Sequence, residues 1–383
     1  MANRSDAAWG IYVHIPFCRA KCNYCAFVSQ VENEESQQAY VAALCREITA
    51  AGGDFSAGVV DTVFFGGGTP TVLPAAALAA ILRTIRQTTS LAPDAEISIE
   101  ANPGTVTAES LDALRRQGFN RLSLGVQSFD ETVLAATGRI HRSADAKAAV
   151  GLARQAGFDN VGLDLMYGLP QQTVASWRST LEQAVELQPQ HLSAYGLKLE
   201  EGTPLAAAVA TGRQTLPSEA DEETMYDFLN GYLPAMGFER YEIANFAKAG
   251  KQCRHNRKYW LSQPFRGFGL AAHSFDGTQR FVNTDNLKEY LRRSALGHTV
   301  AMPPERIDEA TLIAEYVFTA LRLAEGLRYD EFQRRFDRDF RQLYAAALPP
   351  LLKQQLIVQT DREIFLTPLG MKFGNRVFAE FLP

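Results

Sequence analysis

Six short apolar runs within the first 200 residues constrain the fold of this chain more than any other feature. The runs are rich in β-branched and aromatic residues, which favour strands, and segments of helical periodicity such as 36–51 and 143–156 separate them. Strands that alternate with helices in one polarity predict a parallel sheet with its helices outside. The predicted strands are 10–15, 59–65, 96–100, 121–126, 160–166 and 191–197.

Two architectures fit this α/β alternation. A complete eight-unit barrel needs about 250 residues, and residues 10–200 fall short of that, so we expect an open, partial barrel of six βα units. A doubly wound sheet is the alternative that spacing alone leaves open. In both architectures ligands bind at the carboxyl ends of the strands. We also expect Ser143 to cap the helix that it precedes and Gly157 to end it.

Three of the five cysteines, Cys18, Cys22 and Cys25, form one CxxxCxxC run directly after the first predicted strand. Thiolates are the ligands that iron–sulfur clusters select, and three of them can hold a [4Fe-4S] cube with one iron left open. A structural zinc site is a weaker alternative because it needs a fourth ligand at short spacing. A disulfide framework does not suit an odd, sparse set of cysteines. Cys45 is expected to be an ordinary reduced thiol in a helix.

Polar or glycine-rich residues come at or after the ends of the later runs. Gly66-Gly67-Gly68-Thr69 follows the second run, Glu100 ends the third, and Gln127 follows the fourth. A glycine triplet alone is typical of a tight turn, but its position after a buried strand favours a backbone that approaches a ligand. The sequence therefore predicts a polar binding site at one edge of the sheet.

Composition narrows the class of protein. The net charge of −5 and the isoelectric point near 5.8 give no basic field, so nucleic acid is not an expected partner. The chain shows neither an export signal nor an uninterrupted apolar run long enough to cross a membrane. We expect a cytoplasmic protein, where reducing conditions also preserve thiolates.

The segment from Tyr12 to Phe27 reads YVHIPFCRAKCNYCAF. It resembles the signature of radical S-adenosylmethionine (SAM) proteins of the coproporphyrinogen oxidase and heme-chaperone group. The resemblance implies the open six-unit barrel, a [4Fe-4S] cluster on the three cysteines, and SAM bound to the open iron. It also implies that an electron from the reduced cluster cleaves SAM into methionine and a 5′-deoxyadenosyl radical. His14, one residue before Ile15, is expected to be a buried structural histidine.

The same resemblance implies a set of cofactor-binding residues. Arg139 suits the SAM carboxylate as a planar fork, Gln127 and Asp164 suit the ribose, and the glycine-rich turn matches the element that contacts the amino group. The full set is Tyr12, Phe27, Gly67, Gly68, Thr69, Glu100, Gln127, Arg139, Asp164 and, for heme, His255.

Departures from the pattern separate the branches of this group. The oxidases carry a further cysteine where this chain has Phe27, and they have a longer N-terminal extension than the eleven residues before Tyr12. HemW-type heme chaperones share the shorter start, although they commonly have an acid where this chain has Ala26.

The segment Cys253–Trp260 resembles the HNxxYW element of the heme chaperones. An imidazole beside aromatic rings suits a porphyrin, so His255 is a candidate heme contact and His273 a weaker one. The alternative is that His255 caps a turn, that Tyr259 and Trp260 anchor the core, and that Cys253 is a buried thiol. The sequence leaves both open.

The last part of the chain predicts helices at 311–323, 329–346 and 348–355, then a hairpin at 357–366. This order is typical of a winged-helix-like module, for which a lid or interaction role fits better than DNA binding because its charges balance. We expect three parts: a radical SAM core at 1–200, an extension with the HNxxYW element at 201–300, and the winged-helix-like domain at 301–383.

These observations favour a radical SAM heme chaperone that transfers heme to other proteins. The alternatives are an oxygen-independent coproporphyrinogen III oxidase and a cluster-bearing module without turnover. The resemblance suggests as partners heme-accepting proteins, membrane-bound enzymes among them, together with bacterioferritin or an electron donor. Any membrane contact is expected to be peripheral, at the inner membrane.

Overall fold

The structure, a computed structural model, describes residues 8–31, 34–55 and 58–382. Within these residues the strands form one sheet of twelve and one of three. The large sheet comprises β1 (Trp9–Ile15), β2 (Val59–Gly67), β3 (Ser90–Ala101), β4 (Arg121–Gln127), β5 (Val161–Tyr167), β6 (His191–Gly196), β7 (Glu239–Glu242), β8 (Asn245–Ala247), β9 (Phe265–Phe268), β10 (His273–Phe275), β11 (Gln279–Val282) and β12 (Glu305–Arg306). The small sheet comprises β13 (Leu327–Arg328), β14 (Ile357–Gln359) and β15 (Glu363–Leu366).

Helices connect these strands. They are α1 (Glu34–Ala50), α2 (Ala75–Thr88), α3 (Ala108–Gln117), α4 (Glu131–Ala136), α5 (Ser143–Gln155), α6 (Val174–Glu186), α7 (Pro204–Ala210), α8 (Glu219–Ala235), α9 (Arg254–Trp260), α10 (Leu287–Ala295), α11 (Glu309–Ala320), α12 (Tyr329–Phe336), α13 (Phe340–Leu343), α14 (Leu348–Lys353), α15 (Pro368–Lys372) and α16 (Gly374–Ala379). Short 3₁₀ helices lie at Gly52–Phe55, Pro70–Val72 and Pro103–Thr105. No helix among the described residues is long and apolar enough to span a membrane.

Strands β1 to β6 form the core of the large sheet, and their order confirms the partial barrel. They are parallel neighbours in sequence order, from β1 beside β2 to β5 beside β6. A doubly wound sheet reverses its strand order part of the way across, and this one does not. The barrel is open, because β1 pairs on its other side with β9 and β6 pairs with β8.

The predicted strands agree with the observed ones to within a few residues. The largest difference is in β3, which begins at Ser90 because 90–91 pair with the start of β2 before a shift in register. The prediction that Ser143 caps α5 is wrong by one residue: Arg142 holds the cap position, and its N–H donates to the Asp145 carboxylate at 2.8 Å. Gly157 follows the end of α5 with a φ of +85°, as predicted.

The extension after β6 covers both open edges of the barrel. The β7–β8 hairpin pairs antiparallel with β6. On the other side, β9 lies parallel to β1, and β10, β11 and β12 continue the sheet antiparallel. Residues of the extension therefore share the large sheet and its hydrophobic core, which includes Phe246, Phe268 and Tyr290.

The C-terminal domain has its own core, built around residues such as Val317, Phe332 and Ile364. Strand β13 lies between α11 and α12, and after α14 it is joined by the β14–β15 hairpin in a three-stranded antiparallel sheet, an order typical of a winged-helix-like module. The prediction of one helix over 329–346 is wrong, because Asp337 adopts a φ of +53° and ends α12. Asp339 then caps α13 by accepting from the N–H of Gln342 at 3.0 Å.

Candidate functional site

The cysteine loop follows β1 at the carboxyl end of the core strands, which we call the barrel mouth. Gln30 closes the loop on its own start: its N–H donates to the carbonyl of Pro16 at 2.8 Å, and its carbonyl accepts from the N–H of Cys18 at 3.1 Å. In the middle of the loop, Asn23 donates to the carbonyl of Thr137 at 3.1 Å. The loop is therefore tied both to β1 and to the segment after α4.

The three thiols of this loop lie within electrostatic reach of one another. Cys18, Cys22 and Cys25 are free and half-buried. Burial raises the pKa of the Cys25 thiol, and negative charge on Cys22 and Cys18 raises it further. A bound metal relieves such repulsion, because a thiol that coordinates a cation is deprotonated.

A glycine leaves room beside one of these sulfurs. A Cβ atom added to Gly68 would lie 3.0 Å from Sγ of Cys18 and 2.7 Å from the carbonyl oxygen of Phe17. Among the described residues, no three His, Cys, Asp or Glu side chains are arranged to hold a single metal ion. A [4Fe-4S] cluster is held differently, because each thiolate binds a different iron of the cluster. Three half-buried thiols on one loop suit such a cluster.

A chain of hydrogen bonds joins the cysteine loop to the side chains at the mouth. Arg139 donates from Nη1 to Sγ of Cys22 at 3.4 Å and from Nη2 to Oδ1 of Asn102 at 2.6 Å. Asn102 donates to the hydroxyl of Thr69 at 2.7 Å, and that hydroxyl donates to Sγ of Cys18 at 3.6 Å. Two of the three sulfurs are therefore connected to one arginine.

Three polar side chains meet at Gly125 of β4. A Cβ atom at this glycine would lie 2.9 Å from Oδ1 of Asn102, 3.2 Å from Nε2 of Gln127 and 3.3 Å from Nη2 of Arg139. Gln127 reaches this point from a φ of +65°, after an irregularity in the pairing of β4 with β5. Left-handed backbone at a non-glycine residue is uncommon and recurs at binding sites. Gln127 and Arg139 thus converge at the end of one strand, and their roles toward SAM stay predictions.

Glu100 faces the glycine-rich turn after β2. Its Oε2 accepts a hydrogen bond from the N–H of Gly67 at 3.2 Å. Burial raises the pKa of Glu100 to about 8, and the neighbouring Asp164 carboxylate adds to the rise. Two carboxyl groups in one partly dry pocket disfavour each other's charge, so the pocket favours a cationic ligand group.

Asp164 lies inside the barrel and is held by two serines. The Ser193 hydroxyl donates to Oδ1 at 2.6 Å, and the Ser123 hydroxyl lies 3.1 Å from each carboxylate oxygen. Burial raises the pKa of Asp164, although these hydrogen bonds oppose the rise. The serines fix the carboxylate at a defined depth below the mouth.

Aromatic residues border the site on the side of β1. The Tyr12 hydroxyl lies 3.1 Å from Nδ1 of His14, and its ring stacks on Phe64 at 6.3 Å. His14 is buried, with Nε2 2.9 Å from the carbonyl oxygen of Val28, so the prediction of a structural histidine is confirmed. Phe27 is 68% exposed on the outer part of the cysteine loop.

Helix α9 lies at the amino end of the core strands, which we call the barrel floor, and its His255 reaches into the barrel, where its ring stacks on Phe64 at 5.3 Å and on Tyr12 at 6.5 Å. His255 is 1% exposed, and its Nδ1 and Nε2 lie 2.9 Å from the Thr62 hydroxyl and 2.8 Å from the Tyr259 hydroxyl. Burial lowers the pKa of His255 to about 3. Heme contact at this residue remains a prediction, and it requires one of these hydrogen bonds to break.

The neighbours of His255 are also engaged in the floor. Glu96 accepts from the N–H of His255 at 3.1 Å and from the N–H of Arg254 at 3.0 Å, so it caps the N-terminus of α9. Cys253 is fully buried, with Sγ 3.6 Å from Glu96, as the alternative of a buried thiol predicts. His273 is exposed on β10.

Sequence reasoning missed Asn102, Ser123 and Ser193 as parts of the site. Asn102 precedes a proline directly after a strand, and this dipeptide marks a turn whose amide is available for hydrogen bonds. Each serine sits among apolar residues in a strand, where period-two alternation places it on the interior face of the barrel. Neither signal identifies a residue of the site unless its hydrogen-bond partner is already known.

Comparison with known proteins covers both halves of the chain. Residues 12–184 match the radical SAM superfamily, and residues 307–373 match the HemN C-terminal domain. The heme chaperone HemW of Bacillus subtilis (strain 168) is 34% identical over 372 residues, 97% of this chain and 98% of that protein. The heme chaperone HemW of Escherichia coli (strain K12) is 40% identical over 267 residues, 69% of each chain.

A solved structure has the same architecture over nearly the whole length. Coproporphyrinogen III oxidase (HemN) from Escherichia coli, a radical SAM enzyme, superposes with a TM-score of 0.86 at 27% identity. The superposition covers 98% of this chain and 90% of that one, so barrel, extension and C-terminal domain are all shared.

Proposed function

Because the chain belongs to the HemW heme-chaperone family within the radical SAM superfamily, we propose that it binds a [4Fe-4S] cluster and SAM at the barrel mouth and carries heme to other proteins. Cys18, Cys22 and Cys25 would hold three irons. The observation that carries this proposal is the hydrogen-bonded path from Cys18 through Asn102 to Arg139 and Cys22, because it joins the thiols to the predicted SAM residues.

Each side chain at the mouth has a role that its surroundings support. Arg139 would bind the SAM carboxylate through its guanidinium, which Asn102 already orients. Glu100 would accept a hydrogen bond from the SAM ammonium group. Its pKa, which burial raises, would fall as the cation approaches, so the complex favours the carboxylate form. Asp164 and Gln127 would bind the ribose hydroxyls. A [4Fe-4S] cluster on the three cysteines would, when reduced, supply the electron for cleavage of the SAM sulfonium bond.

Other residues would shape the SAM pocket without contributing a charged side chain. Gly67, Gly68 and Thr69 would bring backbone groups close to SAM, and the exposed Phe27 together with Tyr12 would border its adenosine. The division into a core at 1–200, an extension at 201–300 and a domain at 301–383 assigns the cofactor chemistry to the core. The other two parts would then serve the cargo.

Heme would be cargo, and the expected acceptors are heme-dependent proteins, membrane-bound enzymes among them, with bacterioferritin or an electron donor as further partners. His255 would contact heme once one of its two side-chain hydrogen bonds, to Thr62 or to Tyr259, is broken. The chaperone would work in the cytoplasm, with peripheral contact at the inner membrane.

The test is anaerobic and uses the full chain with a reconstituted cluster. One sample receives hemin and then a heme-free acceptor, and another receives coproporphyrinogen III with SAM and reductant. Stable heme binding followed by transfer, without decarboxylation, supports the chaperone. Decarboxylated porphyrin coupled to 5′-deoxyadenosine would instead make the chain an oxidase, and heme neither bound nor transferred would leave a cluster-bearing module.

A further inference from the structure

His255 leaves no route for a large ligand while helix α9 stays in place. Toward the mouth, the rings of Tyr12 and Phe64 stack on its imidazole at 6.5 and 5.3 Å. On the other side α9 itself closes the floor, and 1% of the His255 surface is exposed. One side-chain hydrogen bond goes to Thr62 of the barrel at 2.9 Å, and the other goes to Tyr259 of α9 at 2.8 Å. A shift of α9 away from the floor would break the first and keep the second.

The C-terminal domain contacts the outer side of α9 through two arginines. The Arg257 guanidinium of α9 donates to both carboxylate oxygens of Glu325, at 2.7 and 3.3 Å. Such a bidentate arrangement is the strong form of an arginine–carboxylate pair. The guanidinium of Arg322 lies over the ring of Trp260 at 4.3 Å, within the range of a cation–π interaction. Both contacts join α9 to the segment 322–325, which follows α11.

A third contact holds the turn that follows α9. Arg335 of α12 donates from Nη2 to the carbonyl of Ser262 at 2.8 Å and from Nη1 to the carbonyl of Leu261 at 3.3 Å. Ser262 adopts a φ of +46°, and its hydroxyl lies 3.2 Å from that of Thr319 on α11. Left-handed backbone at a serine costs free energy and is maintained by the contacts around it. The C-terminal domain supplies several of those contacts.

Little apolar area has to separate when these contacts open. Among the described residues, the barrel and the C-terminal domain have separate hydrophobic cores. Beside the turn 261–264, a cavity of about 1980 Å³ lies between the extension and the helices α11 and α12. The two parts therefore meet around this turn through individual polar side chains, which separate more easily than packed apolar surfaces.

The C-terminal domain has a second attachment that does not involve α9. The N–H of Ala324 donates to the carbonyl of Tyr241 at 2.9 Å. The N–H of Ile243 donates to the carbonyl of Arg322 at 3.0 Å, and the Ile243 side chain packs against the core of the domain. The contacts with α9 can therefore open while the domain stays attached to β7.

We propose that the C-terminal domain regulates access of heme to His255 by latching α9 onto the barrel floor. The latch consists of Arg257 with Glu325, Arg322 with Trp260, and Arg335 with the carbonyls of Leu261 and Ser262. In the closed state α9 covers the imidazole. In the open state α9 moves outward and presents the imidazole to the heme iron. This inference rests on the proposed heme contact at His255 and states how that same site is regulated.

The latch predicts a gain of affinity from the loss of a contact. A ligand that binds only the open state has an apparent Kd equal to its intrinsic Kd divided by the open fraction. A weaker latch raises the open fraction, so hemin should bind more tightly. A purely structural role of the same contacts predicts unchanged or weaker binding when they are removed. The direction of the change in Kd therefore distinguishes the two roles.

The experiment titrates hemin into the full-length protein with a reconstituted cluster and follows the Soret band. Glu325→Gln and Arg335→Met each remove one latch contact and should lower the apparent Kd for hemin roughly fivefold. Hydrogen–deuterium exchange at 254–262 should accelerate in both variants before hemin is added. Glu309→Gln and Arg338→Met are the matched controls, because they break an exposed pair of the same domain and should change neither quantity.

The outcomes separate the latch from the function it serves. A wild-type chain that binds no hemin would overturn the heme-carrying function and the latch with it. Equal hemin affinity of wild type and folded His255→Phe would move the heme contact elsewhere and would also overturn the latch. Binding that His255→Phe loses, but that Glu325→Gln and Arg335→Met leave unchanged or weaken, would overturn the latch alone. If Arg335→Met does not fold, Glu325→Gln decides, since glutamine keeps the size of a side chain that is half exposed.

Discussion

The two ends of the barrel hold similar sets of polar residues in opposite states. At the mouth, Arg139 and Glu100 hydrogen-bond to neighbours across loops and retain room beside two glycines. At the floor, His255 and Glu96 are buried, and Lys258 pairs with Asp61 at 2.8 Å. Polar side chains therefore connect α9 to the barrel at the floor, whereas those at the mouth are the ones that we propose for SAM binding.

This difference shows that two motifs of one chain can lie in different surroundings. The cysteine motif lies on a loop that a ligand can approach, whereas the HNxxYW element forms a helix that plugs the floor. On its outer side the same helix meets the C-terminal domain, through Arg257 bonded to Glu325 at 2.7 Å and Trp260 beneath Arg322 at 4.3 Å. Such an element is well placed to hold three parts of the chain together.

The largest expected effect is at the mouth. Cys18→Ala, Cys22→Ala and Cys25→Ala should each abolish a stoichiometric cluster after anaerobic reconstitution, because no spare thiol lies in the loop. Iron and sulfide content and the visible spectrum measure the loss, and thermal unfolding of the apo protein should change little. Cys45→Ala is the matched control. A full cluster in any loop variant would contradict the ligand assignment.

At the floor, Lys258→Met should lower the free energy of unfolding by about 3 kcal/mol, because it leaves the Asp61 carboxylate without its buried partner. Urea unfolding measures the change. Lys198→Met, which breaks an exposed pair with Glu200, should cost under about 1 kcal/mol. Equal effects of the two variants would mean that the floor pair is not structural.

His255→Phe sharpens the contrast, because it tests stability and heme binding together. The change leaves the hydroxyls of Thr62 and Tyr259 without a partner, and we expect a loss of about 1–3 kcal/mol in stability. Cluster content should stay at the wild-type level. Hemin affinity distinguishes a purely structural His255 from one that contacts heme. Only a heme contact predicts that folded His255→Phe protein binds hemin more weakly.

Asn102→Ala should weaken SAM binding to the reconstituted protein by roughly tenfold, the equivalent of a hydrogen bond worth about 1.4 kcal/mol. The expected cause is a less ordered Arg139. Equilibrium dialysis measures it, and Asn230→Ala on the distant helix α8 is the control. Unchanged affinity would show that Asn102 does not orient the arginine.

The smallest effect concerns pH. Glu100 has its pKa raised to about 8 by burial, so the folded state retains a proton that the unfolded state releases above its ordinary pKa of 4.5. Stability should therefore fall as the pH rises from about 4.5 to 8. Glu47 and Glu242, with pKa values raised to about 7, act with the same sign. Glu100→Gln should flatten the melting temperature between pH 7 and 8, and an unchanged slope would contradict the assignment.

Sequence patterns predicted the barrel well because its strands are apolar and its helices periodic. The position of the cysteines and Arg139 at one end of the barrel was predictable from a motif and a resemblance. Their connection through Thr69 and Asn102 was not, because it joins residues from four separate loops. The break at Asp337 was also missed, since the helical periodicity continues across it.

An open iron at the mouth is tested most directly by the electron paramagnetic resonance spectrum of the reduced, reconstituted protein with and without SAM. We expect a [4Fe-4S] signal that changes when SAM is added, in wild type and in His255→Phe alike, and no such signal in Cys22→Ala. A wild-type cluster signal that SAM leaves unchanged would contradict an open iron at the mouth, and with it the central claim.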